Sequence, residues 1–176
     1  MSDSVIIIPT YNEIENVEKM TRKVMSIEKD FHLLFVDDNS PDGTSDKIIE
    51  LQQEFPGRIH LETRAGKLGL GTAYIHGFKW SVSKGYDFIF EMDCDFSHNP
   101  DDLIRLYQAC FDGADLSIGS RYIKGGKVSN WPLKRVLMSY FASVYVRLIL
   151  WISIKDTTAG FKCYRRKVLE TINLDG

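Results

Sequence analysis

Short runs that are apolar at consecutive positions constrain this chain more than any other feature: VIII at Val5–Ile8, LLFV at Leu33–Val36 and FIF at Phe88–Phe90. A strand with one face in water alternates apolar and polar residues. A strand that is apolar throughout needs cover on both faces, which is the situation of a mainly parallel sheet between two layers of helix. Strands are expected near Val5–Ile8, His32–Val36, Ile59–Glu62, Phe88–Met92 and Leu116–Ile118, and helices near Asn16–Ile27, Ser45–Phe55, Thr72–Lys84 and Pro100–Phe111. The fold class is therefore α/β, a Rossmann-like sheet with helices on both faces, and 176 residues suit a single domain.

In open sheets of this kind ligands bind beyond the carboxyl ends of the strands. The polar clusters fall there. PTYNE follows the first strand, DDNSPDGT the second, RAGKLGLGT the third, DCDFSHNP the fourth and GSRY the fifth. Composition narrows the class of ligand: a formal net charge of −2 argues against a general nucleic-acid binder, which needs a clustered excess of Lys and Arg. The three cysteines, Cys94, Cys110 and Cys163, have no CxxC spacing and read as reduced thiols of a cytosolic protein. Met1–Ser4 is polar and Val5–Ile8 is too short for the apolar part of a secretory leader, so none is expected.

Asp93 and Asp95 flank one cysteine at a strand end. Two carboxylates so placed repel each other, and a hard divalent cation such as Mg2+ or Mn2+, itself able to take phosphate oxygens, would offset the repulsion. The competing reading makes them caps of the helix at Pro100, a duty Asn99 could perform alone. His98 is either a further ligand or a hydrogen-bonding loop residue. In the second loop Asp37 and Asp38 could accept hydrogen bonds from a nucleobase or ribose, with Gly43 free for positive φ and Thr44 or Ser45 placed to cap the next helix. The glycines of GKLGLGTAYIHG match neither phosphate-binding fingerprint in full. Arg121 suits bidentate phosphate binding, its alternative being a surface ion pair.

After Gly126 the character changes to NWPLKRVLMSYFASVYVRLILWISI. Val136–Ile154 approaches the ~20 apolar residues of a spanning helix, but Arg147 interrupts it. The 131–154 segment is expected either to lie at a membrane interface with its basic residues reaching the headgroups, or to pack as a buried helix against the sheet.

Taken together, IPTYNEIEN, VDDNSPDGT, GLGTAYIHGF, EMDCDFSHNPDDL, GSRYIKGG and DTTAGFKCYRR resemble, in family order, the family 2 glycosyltransferases of the GT-A fold, and within them the dolichol-phosphate (polyprenyl-phosphate) mannosyltransferases. The resemblance implies a sugar-nucleotide site from Pro9, Tyr11, Glu13, Asp38 and Asp93. It implies Mg2+ or Mn2+ on Asp93 and Asp95, with Ser97 where family members often carry a Gln ligand. Arg121, Arg135 and Ser139 match positions that hold the acceptor phosphate, and Asp95 and Arg121 are the residues expected to act in catalysis. The implied reaction is inverting transfer of a hexose, mannose from GDP-mannose first, to a polyprenyl or dolichyl monophosphate. It would take place on the cytoplasmic face of a membrane with peripheral contact. UDP-glucose or another donor, or another acceptor, is the alternative within the family; a non-catalytic domain binding a nucleotide or a partner is the alternative outside it. The chain ends soon after GFKCYRR, where the family normally continues, so a C-terminally truncated domain is expected. Haloacid dehalogenase and receiver-domain readings fail on loop order, because their acidic pairs follow the first strand.

Overall fold

The computed structural model describes residues 2–122 and 133–174, and of residues 133–137 and 140 the backbone alone. Its elements run β1 (Ser4–Thr10), α1 (Ile14–Met25), β2 (Phe31–Asp37), α2 (Thr44–Glu54), β3 (Ile59–Thr63), α3 (Leu70–Ser83), β4 (Phe88–Glu91), a 3-10 turn (Pro100–Asp102), α4 (Leu103–Phe111), β5 (Leu116–Ile118), α5 (Leu133–Leu150), β6 (Lys162–Arg165) and α6 (Arg166–Thr171). The six strands form one sheet in the order β3-β2-β1-β4-β6-β5. β1 pairs in parallel with β2 and β4, and β2 with β3, while β6 is antiparallel to both β4 and β5.

The period-2 geometry of a strand explains the consecutive apolar residues. Ile6, Ile8, Leu33 and Phe35 face a core closed by Val17, Met20 and Val24 of α1, Ile48 and Leu51 of α2, and Leu103, Leu106 and Cys110 of α4. Val5, Ile7, Leu34 and Val36 face the other way, against Ala73, Tyr74 and Phe78 of α3 and Leu169 of α6. Burying each such side chain contributes about 1.5–3 kcal/mol, so both layers hold the sheet. α3 comes closest at Gly77, where an added Cβ would lie 2.5 Å from Cγ2 of the buried Ile7.

β6 is a strand the sequence pattern does not announce. Its four residues, KCYR, put Cys163 into one core and Tyr164 against the other, flanked by Lys162 and Arg165, so no apolar run marks it. Lys162 lies opposite Glu91 in the ladder, and its ammonium sits 2.7 Å from that carboxylate. The insertion matters for function. Because β6 runs against β4 and β5, its amino end lies at their carboxyl ends, and the preceding segment Asp156–Phe161 is delivered to the same edge as the loops after β1, β2 and β4. Gly119 permits this crossing: a Cβ there would meet Phe161 Cδ1 at 2.6 Å, and its N–H donates to Phe161 O at 2.8 Å.

The helix-capping expectation for Thr44 and Ser45 does not hold. Gly43, at φ +88°, occupies the N-cap of α2, and the two hydroxyls serve the loops instead. Thr44 Oγ1 accepts from Glu13 N, Asp42 Oδ2 accepts from Ile14 N, and Ser40 Oγ accepts from Asn12 N. The first amide of α1, Ile14 N, which lacks a partner within its own helix, and the two amides before it, Asn12 N and Glu13 N, are thus satisfied by the β2–α2 loop, and the two loops become one unit.

Candidate active site

The Asp37–Asp38 pair divides its duties. Asp37 is fully buried and accepts from Thr10 Oγ1 (2.8 Å), Ser40 N (2.8 Å), Ser40 Oγ (2.6 Å) and Ser45 Oγ (2.7 Å), so it organises the loop from within. Asp38, also buried, receives the Arg64 Nε–H at 2.6 Å, and the same guanidinium reaches Thr72 Oγ1 and Gly69 O. Arg64 therefore ties the start of α3 to the end of β2. Tyr11 is partly exposed at the mouth, with the Lys67 ammonium 4.6 Å over its ring. Glu13 accepts from Asn16 Nδ2 at 2.7 Å. Pro9 closes β1 beside them, paired with Val36.

After β4, Asn99 Oδ1 accepts from Asp101 N and caps the 3-10 turn, which removes the capping explanation for Asp93 and Asp95. Asp93 Oδ1 accepts from the Tyr74 hydroxyl at 3.0 Å. Burial, joined by the charges of Asp93 and Glu91, raises the Tyr74 pKa far above that of an ordinary phenol, so it stays a donor. Asp95 is exposed, and its Oδ1 accepts from Ser97 N at 2.9 Å. Between them and His98, Phe96 takes φ +58°, a left-handed conformation costly for a bulky residue and typical of functional loops. His98 Nδ1 is buried without a hydrogen-bond partner and stands 4.0 Å from Asp93 Oδ2. Oxygen donors on one loop, relieved of capping and set beside an orphaned buried nitrogen, fit a divalent cation. Among the described residues no three His, Cys, Asp or Glu side chains form a ready cage for one.

On the far side, Arg121 is gripped by Asp156. Nε–H donates to Oδ2 at 2.8 Å, Nη2 to Oδ1 at 2.7 Å, and the Arg121 backbone N–H to Oδ2 at 3.0 Å. Burial would push the Asp156 carboxyl up, but the Arg121 hydrogen bonds outweigh it and hold the group below the ordinary carboxylate range. Arg121 Nη2 also donates to Thr158 Oγ1 at 2.7 Å, and Thr158 Oγ1 meets Ser139 Oγ at 2.8 Å. Arg121 and Ser139, two of the expected acceptor residues, are thus brought together, whereas the side chain of Arg135 lies outside the described residues. The two halves adjoin at Gly160, where a Cβ would lie 3.5 Å from Asp93 Oδ2 and His98 Cε1; burial lowers the His98 pKa, Asp93, Asp95 and Asp156 oppose the shift and Arg121 adds to it.

Sequence reasoning assigned no role to Arg64, Tyr74, Asp156 or Thr158. Arg64 follows β3 as the other loop residues follow their strands and could have been found by that rule. Asp156 and Thr158 reach the edge only because β6 is antiparallel. Cys94, Cys110 and Cys163 are free and buried.

In α5 and beyond, Leu148 is 70% exposed and Trp151 93% exposed, with Met138, Phe141 and Tyr145 also exposed. Among the described side chains Ser143 turns inward, so the helix is not packed into the sheet as a core element. No helix of the described residues is long and apolar enough to cross a membrane.

Residues 5–172 match glycosyl transferase family 2. Polyprenol monophosphomannose synthase of Mycolicibacterium smegmatis is 48% identical over 97% of this chain and 64% of its own length. Undecaprenyl-phosphate mannosyltransferase of Micrococcus luteus is 45% identical over 96% and 69%, and dolichol-phosphate mannosyltransferase of Pyrococcus furiosus 38% identical over 97% and 48%. The chain therefore spans between about half and two thirds of these relatives. Among solved structures, a mannosyltransferase from Pyrobaculum calidifontis in complex with GDP-Man and Mn2+ superposes with TM-score 0.64 at 15% identity, over 96% of this chain and 46% of that one. Glucosyl-3-phosphoglycerate synthase from Mycobacterium tuberculosis, with Mn2+, UDP and glucosyl-3-phosphoglycerate, superposes with TM-score 0.68 at 16% identity, over 96% and 58%. These likenesses show the GT-A fold. By the family match and the identity to these relatives, the chain belongs to glycosyl transferase family 2.

Proposed function

We propose that this chain carries the catalytic site of a polyprenyl-phosphate mannosyltransferase, which transfers mannose from GDP-mannose to a polyprenyl monophosphate with inversion. The observation that carries the reading is the presence of two sets of groups at one sheet edge: the Asp93–Asp95 loop with His98, and the Arg121–Thr158–Ser139 cluster, with Gly160 of the segment before β6 lying beside Asp93 and His98. The names of the relatives, all polyprenol- or dolichol-phosphate mannose enzymes, support the acceptor and the sugar. The guanine donor rests on the family resemblance.

Asp93 and Asp95 would hold a divalent cation, which when bound neutralises the departing diphosphate and so replaces a proton donor. Tyr74 fixes the Asp93 carboxylate by its hydrogen bond. A lipid monophosphate has a second pKa near about 6 and is largely ionised at neutral pH, so it attacks without a general base. Arg121 supplies positive charge beside that phosphate, with its Nε–H and Nη2 held by Asp156. Asp156 sets the plane of the guanidinium, and Thr158 spaces it from the Ser139 hydroxyl. Holding two anionic substrates at one edge requires this cationic group, and its fixed orientation lowers the entropic part of the barrier. Direct displacement by the phosphate oxygen inverts the anomeric carbon.

The exposed Met138, Phe141, Tyr145, Leu148 and Trp151 on and beside α5 support peripheral contact with the cytoplasmic face of a membrane, where a lipid acceptor resides. A blue shift of Trp151 fluorescence on adding vesicles, absent in Trp151→Phe, is expected; an unshifted spectrum removes this part of the reading.

Calorimetric titration of GDP, UDP and their sugar conjugates, with and without Mn2+, tests the centre of the proposal. Metal-dependent binding of GDP-mannose, lost in Asp95→Ala, is expected. Preference for a uridine nucleotide would move the donor to the UDP-glucose class. Mannose transfer to polyprenyl phosphate, assayed on the same sample, separates the enzyme from a domain that only binds.

A further inference from the structure

The DCDFSHNP loop leaves one buried polar atom without use. His98 keeps only 13% of its side-chain exposure, yet its Nδ1 makes no hydrogen bond. Buried ring nitrogens nearly always have a partner, and an orphan at a site edge points to a ligand. Asp93 Oδ2 stands 4.0 Å away. That separation is too long for a hydrogen bond and close to the sum of two metal–ligand bonds of about 2.0–2.1 Å each. The ring is also held in place. It stacks on Phe161 with centroids 5.2 Å apart and planes at 22°. Gly160 lies beside both groups, where a Cβ would sit in van der Waals contact, 3.5 Å from Asp93 Oδ2 and from His98 Cε1. Ser97, at the position where family members often carry a ligating Gln, has a short hydroxyl, and its N–H is already engaged by Asp95.

We propose that His98 is a direct ligand of the divalent cation beside Asp93, supplying an imidazole nitrogen where an amide oxygen is absent. The inference rests on the metal-dependent reading above and deepens it. A nitrogen donor shifts a carboxylate site away from Mg2+ and toward Mn2+ and the later transition metals. This chain therefore prefers Mn2+ over Mg2+ by a margin that His98 sets.

The test is pulsed electron paramagnetic resonance of Mn2+ bound with GDP to the full chain, unlabelled and with 15N-histidine. Phosphorus coupling reports the cation on the diphosphate, and histidine nitrogen coupling reports His98. The expected result is 14N modulation that changes to 15N on labelling and disappears in His98→Phe. That variant keeps an aromatic ring against Phe161, and its melting curve verifies folding. Mn2+ affinity should fall about tenfold or more in the variant, Mg2+ affinity less, so that the preference narrows. Phosphorus coupling without histidine coupling in the parent chain overturns the ligand role and leaves the metal reading standing. Failure of Mn2+ to bind in the presence of any nucleotide overturns both.

Discussion

The two edges of the sheet treat their histidines in opposite ways. At the amino edge His32, at the start of β2, and His60, at the start of β3, meet the Tyr86 hydroxyl at 2.7 and 3.3 Å, and Trp80 covers His60 with ring centroids 4.9 Å apart. Their polar atoms partner one another. At the carboxyl edge His98 Nδ1 is buried without a hydrogen bond, Asp95 is exposed, and Asn12, Asn39 and Phe96 all take positive φ. Polar groups satisfied among themselves stabilise a fold, whereas groups left short of partners and backbone held in strain are kept for something that binds. The first edge should therefore respond to mutation in stability and the second in function.

The largest expected effect lies at the carboxyl edge. On the proposed function, Asp95→Ala should reduce mannosyl transfer by about 100-fold or more, the range seen when one group stabilising transition-state charge is lost. The melting temperature should hardly move, since the exposed side chain makes only a local turn bond to Ser97 N. A matching fall in stability would show the carboxylate to be structural and dissolve the contrast between the edges.

Asp156→Ala sharpens the comparison, because Asp156 belongs to both categories. Its side chain is fully buried and Arg121 keeps 13% exposure, so removing the carboxylate strands a nearly buried guanidinium. Loss of about 3 kcal/mol is expected, as for a broken buried ion pair, read from denaturant unfolding. Asp156→Asn keeps some of the hydrogen bonding and should lose less. Affinity for polyprenyl phosphate should fall in both variants if the pair orients Arg121 for the acceptor; unchanged affinity would confine Asp156 to stability.

How much of this was readable in advance follows from the same geometry. Parallel strands send every loop that follows them to one edge, so the convergence of PTYNE, DDNSPDGT and DCDFSHNP could be read from sequence order alone. Gly43 also stood where a positive φ was expected. The Arg121–Thr158–Ser139 cluster depends on β6, an antiparallel strand of four residues whose alternation of Lys162, Cys163, Tyr164 and Arg165 carries no apolar signature. Without that strand, Asp156 and Thr158 have no reason to meet Arg121. Side-chain hydroxyls misled in a different way: Thr44 and Ser45 have the chemistry of helix caps, but Glu13 N and Asp37 compete for them from elements distant in sequence. The 131–154 segment left two homes open because one helix pattern suits core and membrane surface alike; in its described part Leu148 and Trp151 are exposed.

A smaller effect is expected from Tyr86→Phe at the amino edge. It removes the hydroxyl shared by His32 and His60 and leaves the buried His32 Nδ1 without that partner. The cost should be about 1–2 kcal/mol in stability, with nucleotide binding unchanged. A change in nucleotide affinity would mean that the two edges communicate through the sheet.

The smallest effect is a pH dependence that belongs to the amino edge. Burial lowers the pKa of both His32 and His60 below the ordinary 6.5; the charge of Asp30 opposes this at His32, while Arg58 reinforces it there and Lys84 reinforces it at His60. Below pH 6.5 the unfolded chain therefore binds protons that the folded protein still refuses, and stability falls as the pH drops from 6.5 toward the folded pKa values. Carboxylates such as Asp156, whose folded pKa lies below 3.8, add their loss only at lower pH, as that folded pKa is crossed. Unfolding free energy measured between pH 7 and pH 5 should then slope downward in the parent chain and flatten in His32→Gln, which keeps a hydrogen-bonding side chain near Tyr86 but cannot take the proton. Equal slopes in the two proteins would show that the histidine cluster does not set the acid limb, and the distinction between a self-satisfied edge and a ligand-requiring one would lose its thermodynamic support.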